Sequence, residues 1–355
     1  MSTTEEKATT PVPADRRTNH RRTVGANLAR FSGLYIWAAI ILIFAIWIPG
    51  IFLSSQTLIS IASDESVTAI VALGLLFTLA AGGFDLSIGQ NLGLSAIVVS
   101  TLSTVGGWTP FAAAVAAIAS STIAGIINGL LVARVGINSL IATLGMTSVL
   151  LALTRIISEQ KFRGPLPDKL RAITGWQPLG IPAITIYAVV IAFVAWYALE
   201  HTPFGRKIYA TGANPDAAFL SGVKTPRYLL LSFVISGFGA GVAGVLISAK
   251  IGSVGPDIGP EYLLPCFAAC FLGTTQLKPG KFNVWGTMLA IFLLATGVKG
   301  LQLVGGQQWI TDLFNGVALI GAVSVSVVAA RRAALGRRRR AAAALKHDGA
   351  GAEKR

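Results

Sequence analysis

The chain has 355 residues, of which 53% are hydrophobic and only 12% charged, and its 39 glycines are well above the average usage near 7%. A soluble domain with so much apolar surface would aggregate, so the composition excludes an ordinary water-soluble enzyme. The formal charge of +14 resembles a nucleic-acid signal until its placement is read: most of it lies in tails and loops, and no nucleic-acid partner follows from it.

Residues 1–32 contain Pro, Thr, Glu and Arg but no apolar run, and read as a disordered cytoplasmic leader. The first apolar stretch is about 20 residues long and no A-x-A site follows it, so it is read as a retained span rather than a cleaved signal. From there the spacing of charges marks the membrane segments, because a charge at the bilayer centre costs roughly 2.5 to 3.5 kcal/mol. No charge occurs between Arg30 and Asp64, Glu65 and Asp85, Arg134 and Arg155, Arg171 and Glu200, Arg227 and Lys250, Glu261 and Lys278, Lys281 and Lys299, or Asp312 and Arg331. The interval from Leu86 to Ala133 holds two spans, divided at Gly106-Gly107-Trp108-Thr109-Pro110, where Gly and Pro favour a turn. The prediction is an all-α polytopic membrane protein with about ten transmembrane helices over residues 33–330.

With the N-terminus inside, the cytoplasmic side receives six basic residues from the leader, Arg134, four from the central loop, Lys278 and Lys281, and nine from the C-terminal tail. That is the positive-inside pattern, and it predicts that both termini are cytoplasmic. The loop from Glu159 to Gln177 is the exception, since it carries Lys161, Arg163, Lys169 and Arg171 and falls outside. The tail, residues 331–355, includes Arg337 to Arg340 and is read as a topology anchor, with contact to RNA or anionic lipid as the alternative.

The segment Gly82-Gly83-Phe84-Asp85-Leu86-Ser87-Ile88-Gly89 places a carboxylate between two apolar spans. The glycines allow a backbone break, and Asp85 or Ser87 is suited to cap the helix that follows. Irregular backbone at membrane depth survives only inside protein or beside water, so this segment ends a helix at the interface or lines the translocation path. Gln90, Asn91, Thr143 and Gln302 are further polar candidates to line such a path, since their amides and hydroxyls offer hydrogen-bond partners. Each also fits a satisfied interhelical hydrogen bond. Gly89-x-x-x-Gly93, Gly125-x-x-x-Gly129 and Gly237-x-x-x-Gly241 predict close helix contacts without saying where they fall.

The central loop, residues 200–227, carries the sharpest local signal. Asn214 suits an N-cap, Pro215 the first helical position, Asp216 the positive helix end, and Gly222 the left-handed stop. The result is a helix of about two turns, too short to be stable alone, so Ala217, Ala218, Phe219 and Leu220 are expected to pack against a partner or their own bundle.

No catalytic residue and no metal site is predicted. Gly280-Lys281 is followed by Phe282 and has Thr275 where a phosphate-binding loop needs its first Gly, so ATP hydrolysis by that route is not expected of this chain. His20, His201 and His347 are scattered, and Cys266 and Cys270 read as small packing residues one helical turn apart.

Four stretches in order give the chain a family likeness: Gly82 to Gly89; Asn128-Gly129-Leu130-Leu131-Val132 leading to Ile141 through Met146; Phe204-Gly205-Arg206 through Ser221-Gly222-Val223; and Ala240-Gly241-Val242-Ala243-Gly244-Val245. Together they resemble the permease subunits of bacterial ABC sugar importers of the ribose, xylose and galactose type. The resemblance implies a bacterial inner-membrane homodimer of permeases, a separate ABC ATPase that uses ATP, and a periplasmic or lipid-anchored sugar-binding protein. It implies no cofactor bound by this chain and inward movement of a monosaccharide or related polyol. It also implies that Asn214 to Gly222, with Pro215 to Ser221 as its core, acts as the coupling helix that enters a groove of the ATPase. Phe219 stands where these permeases commonly have Arg, and Gly273 to Lys281 replaces a loop usually richer in Gly and Ser. The alternative is a stand-alone secondary transporter or channel, for which Asp85, Arg155, Lys299 and Asp312 would be the ionisable candidates.

Overall fold

The computed structural model describes residues 31–307, 309–325 and 327–328, so the predicted leader and tail lie almost wholly outside the described residues. Among the described residues the regular structure is helical. In chain order the helices are α1 (Ser32–Trp47), α2 (Ser55–Ala80), α3 (Ile88–Thr104), α4 (Pro110–Leu130), α5 (Ser139–Ser158), α6 (Asp168–Gly175) and α7 (Ala183–Trp196). They continue as α8 (Pro203–Ala213), α9 (Pro215–Leu220), α10 (Thr225–Ile251), α11 (Leu263–Gly273), α12 (Val284–Leu303) and α13 (Trp309–Val325). Six segments are long and apolar enough to cross a membrane: α2, Pro110–Val135, α5, Ala183–His201, α10 and α12. Gly33–Trp47, Pro260–Gly273 and Trp309–Val325 are shorter apolar helices.

Helix α10 is the hub, packed on α2, α3 and α4. The close approach has a steric cause, because Gly125 of α4 and Gly237 of α10 face one another. A Cβ added to Gly237 would stand 2.6 Å from the Ser121 carbonyl oxygen, closer than real Cβ atoms approach, and 3.0 Å from the Gly125 Cα. Two of the three predicted glycine pairs therefore meet each other inside one chain. Backbones this near let hydroxyls bridge them: Ser95 Oγ donates to the Gly241 carbonyl at 2.7 Å and Thr78 Oγ1 to that of Ser232 at 3.1 Å. The third pair, Gly89 and Gly93, receives Gly259, which belongs to the irregular segment between α10 and α11. That segment crosses the face of α3, so the expected span after Glu261 begins as a one-turn 3₁₀ helix, Pro260–Tyr262, followed by the 11-residue α11.

The two ends of the bundle are pinned differently. At one end Lys250 Nζ meets Asp64 Oδ1 at 2.6 Å and Lys299 Nζ donates to Ser60 Oγ at 2.9 Å, tying α10 and α12 to α2. The same end carries the basic loop after α5, where Arg163 and Val254 exchange backbone bonds of 2.9 and 3.0 Å. A hydrogen bond from Lys161, its charge and that of Arg163 hold the Glu159 carboxyl below the usual range. At the other end the Gly33 N–H donates to Gln276 Oε1 at 2.7 Å. Cys266 and Cys270 are buried, each thiol directed at a carbonyl of α2, as packing residues should be.

Candidate functional site

The central loop contains one helix more than the sequence reading proposed. Thr202 Oγ1 accepts the Gly205 N–H at 3.3 Å and Pro203 takes the first helical position, so α8 starts on the same cap-then-proline signal as α9. That signal stood in the sequence unused. Helix α8 is anchored twice. The backbone of Gly212 lies against Ala80 and Gly82 at the end of α2. Tyr209 donates its hydroxyl to the Phe282 carbonyl at 2.7 Å, with Lys281 Nζ 3.7 Å from the ring centre. Burial, reinforced by the Glu200 charge, pushes the Tyr209 phenol well above its ordinary pKa, so it remains a donor.

Helix α9 projects from this platform. Asn214 Oδ1 accepts the Ala217 N–H at 3.0 Å, Pro215 opens the helix and Asp216 occupies its first turn. At the other end Gly222 has φ +82°, its N–H donates to the Phe219 carbonyl at 2.9 Å, and the Val223 N–H donates to that of Ala218 at 3.0 Å. These paired bonds close the helix, and Ser221 Oγ adds a bond to the Ala217 carbonyl at 2.8 Å. Of the four side chains expected to pack, only Ala218 is buried in this chain; Ala217 is exposed, Phe219 is 64% exposed and Leu220 is 86% exposed.

Asp85 sits in a sealed network. The carboxylate is fully buried: Oδ1 accepts from the Ser87 N–H at 3.1 Å and Ser87 Oγ at 2.6 Å, and Oδ2 accepts from Ser236 Oγ at 2.6 Å. Asn128 Nδ2 in turn donates to Ser87 Oγ at 2.8 Å, so the break between α2 and α3 is bonded to α10 and α4. The expected cap on α3 by Ser87 is corrected here. Ser87 stands at the N-cap with φ −84° and ψ −7°, already helical, and its hydroxyl accepts no first-turn amide because it is engaged with Asp85 and Asn128. Asp85 holds the Ser87 amide, not one inside α3. Thr143 satisfies the break from α5, accepting the Leu86 N–H at 3.1 Å and donating to the Ser139 carbonyl at 2.7 Å.

Gln90 and Asn91 follow on α3. Gln90 Nε2 lies 3.5 Å from Thr154 Oγ1, and Asn91 Nδ2 donates to the Ser121 carbonyl at 3.0 Å, while the side-chain oxygens of both have no partner among the described residues. Gln302 is elsewhere. It stands near the end of α12, at the Asp64 end of the bundle, and donates to Thr311 Oγ1 at 3.0 Å on the wall of a cavity of about 560 Å³. The structure therefore brings Asp85, Ser87, Gln90, Asn91 and Thr143 together around the start of α3 and leaves Gln302 apart. Sequence reasoning missed Glu261 and Asn315, which line the same cavity, because they converge from segments far apart in the chain. Among the described residues no group of three His, Cys, Asp or Glu is arranged to hold a metal.

Residues 57–323 match the family described as "Branched-chain amino acid transport system / permease component". The chain is 30% identical over 310 residues to the ribose import permease protein RbsC of Bacillus subtilis (strain 168), covering 86% of this chain and 94% of that protein. It is 29% identical over 296 residues to the D-allose transport system permease protein AlsC of Escherichia coli (strain K12), covering 83% and 91%. It is 30% identical over 270 residues to the autoinducer 2 import system permease protein LsrC of Salmonella paratyphi B (strain ATCC BAA-1250 / SPB7), covering 76% and 78%. No solved structure matches it.

Proposed function

Because this chain belongs to the family of transport-system permease components described above, we propose that it is the membrane subunit of a binding-protein-dependent ABC importer that moves a monosaccharide or related polyol inward. The protein is an all-α, multi-pass membrane protein of the bacterial inner membrane. In this reading it crosses the bilayer ten times with both termini cytoplasmic. The long apolar helices supply six spans, and α1, α3, Pro260–Gly273 and α13 supply the other four. Two copies form the pathway, a separate ABC ATPase consumes the ATP, and an external sugar-binding protein delivers the substrate. The chain performs no covalent chemistry and holds no cofactor.

The observation that carries this reading is the mounting of α9. Its short helix is capped at both ends, its Ala218 is held by the bundle, and its Phe219 and Leu220 are left uncovered in this chain. A rigid apolar tip on an anchored stalk suits a part that is pushed by a partner. ATP binding would close the ATPase pair, α9 would carry the displacement through α8 into the end of α2 and the α11–α12 turn, and the two permease copies would open to opposite sides in turn. Gly212 against Gly82 and Tyr209 against Phe282 are the contacts along that route.

The test is reconstitution. Proteoliposomes holding the permease with its ATPase and ATP on the luminal side and the binding protein outside are assayed with labelled D-ribose, D-allose, D-xylose and D-galactose. ATP-dependent accumulation of at least one sugar that vanishes when either partner is omitted is the expected result. Accumulation by the permease alone, driven by an ion gradient, would establish a secondary transporter instead. Accumulation of none of the four removes the sugar reading.

A further inference from the structure

The cavity beside Gln302 has features that the sealed network at Asp85 lacks. Its walls come from the irregular turn at Glu261, from α12 through Gln302 and from α13 through Thr311, Asp312 and Asn315. An adjoining chamber of about 220 Å³ shares Glu261, Thr311 and Asn315 and reaches Glu65 on α2. The larger volume, about 560 Å³, falls within the range of roughly 300 to 1,000 Å³ typical of small-molecule sites. Irregular backbone beside a cavity is where a broken helix is tolerated inside a membrane, and the wall at Pro260–Tyr262 is such a break.

Asn315 gives the cavity its chemistry. The residue is only 4% exposed, lines both chambers, and its side chain makes no hydrogen bond to another described residue. An amide so placed offers an acceptor and two donors to whatever enters, and the hydroxyl of Thr311 and the acceptor oxygen of Gln302 stand on the same wall. The surrounding acidic groups are Asp64, Glu65, Glu261 and Asp312, with the Tyr262 phenol beside them. The nearby ammonium of Lys299 is bonded to Ser60, with Asp64 Oδ2 at 4.0 Å. Carboxylates accept hydroxyl protons and repel anions, so the wall suits a neutral molecule rich in hydroxyls and opposes a phosphorylated or acidic sugar.

We propose that this cavity is a substrate subsite at the Asp64 end of the path, in which the Asn315 amide, aided by Asp312 and Thr311, holds a neutral sugar between its release by the binding protein and its passage inward. The proposal rests on the sugar-importer reading. Its test uses the reconstituted three-component system and whichever of the four labelled sugars the parent accumulates fastest. The quantity read is sugar accumulated per ATP hydrolysed, which a merely weakened fold would not change.

Asn315→Leu should lower that ratio at least about tenfold while loaded binding protein still stimulates ATP hydrolysis to within about twofold of the parent. Asn315→Ser, which restores one hydroxyl, should recover about a third of it. Asp312 is exposed and has no hydrogen-bonding or ionic partner among the described residues, so Asp312→Ala should fold normally and lower the ratio about threefold. Should Asn315→Leu fail to purify as a single species, Asp312→Ala and Thr311→Val decide the matter. Parent ratios in the variants that fold would overturn the subsite and leave the importer reading standing. A parent that accumulates none of the four sugars would remove the importer reading first, and the subsite with it.

Discussion

Asp85 and Asn315 are both polar side chains buried in an apolar bundle, and their surroundings divide them. Every oxygen of Asp85 is engaged, two bonds going to Ser87 and one to Ser236, and the side chain is fully buried. Asn315 has a cavity in front of it and no hydrogen-bonding partner among the described residues. A buried carboxylate is tolerated when it is fully hydrogen-bonded, and then it fixes the geometry of whatever it binds. A buried amide with nothing to bind is a cost that a ligand or water removes. The difference leads us to expect a framing role for the Asp85 network and, as proposed above, a solute-contacting role for Asn315.

The largest effect expected from breaking this contrast is on folding. Asp85→Ala would leave the hydroxyls of Ser87 and Ser236 and the Ser87 amide without their acceptor in a region closed to water. Unpaired buried groups of this kind cost about 1 to 3 kcal/mol each, so a loss of about 3 kcal/mol or more is expected. It would be measured as a lowered unfolding midpoint of the purified permease in detergent, with Asp85→Asn intermediate because an amide keeps one acceptor oxygen. An Asp85→Ala protein as stable as the parent but unable to transport would move Asp85 from the frame to the path.

Phe219 poses the same question for an apolar group. Within this chain it is 64% exposed, whereas its neighbour Ala218 is buried. If the ATPase covers Phe219, Phe219→Asp places an unpaired charge in an apolar groove, where it is costly enough to weaken or abolish docking. The expected outcome is a permease whose unfolding midpoint is unchanged but which no longer stimulates or retains its ATPase. A variant that transports at the parent rate with the ATPase still bound would make α9 an ordinary loop helix.

What could be read from the sequence follows from how local each signal is. Helix α9 was legible because Asn214, Pro215 and Gly222 each act within four residues of where they stand. The same grammar at Thr202-Pro203 marks α8. The close approach of helices was legible in the spacing of Gly125, Gly129, Gly237 and Gly241, although their pairing required the fold. The break at Gly82-Gly83 was legible too, yet the bonds from Asn128 to Ser87 and from Ser236 to Asp85 were not, because those partners enter from distant helices. The polar cavity was least legible. Glu65, Glu261, Gln302 and Asn315 lie on four separate segments, and one-dimensional spacing holds no record of their convergence. The shortness of α11 has a local cause that charge spacing overlooked: Gly255, Pro256, Gly259 and Pro260 lie just before it and disfavour continuous helix.

The smallest effect is predicted for the ion pair that closes the cavity end of the bundle. Lys250 Nζ lies 2.6 Å from Asp64 Oδ1, but the Asp64 side chain is about half exposed, and solvent screening reduces what such a pair contributes. Lys299 also stands within 4.0 Å of the same carboxylate, so removing Lys250 leaves Asp64 with a second cation. Lys250→Met keeps most of the apolar stem, and a change of less than about 1 kcal/mol is expected, shrinking further as salt is raised. The comparison with Asp85 then rests on desolvation rather than on charge alone. Both carboxylates have short bonds, one is sealed and one is open to water, and their substitutions should differ by about 2 kcal/mol or more. Unfolding midpoints of Lys250→Met and Asp85→Ala at low and high salt measure that difference. Equal losses at both salt concentrations would mean that the Asp64 pair is as dehydrated as Asp85, and that the cavity beside it is closed to water.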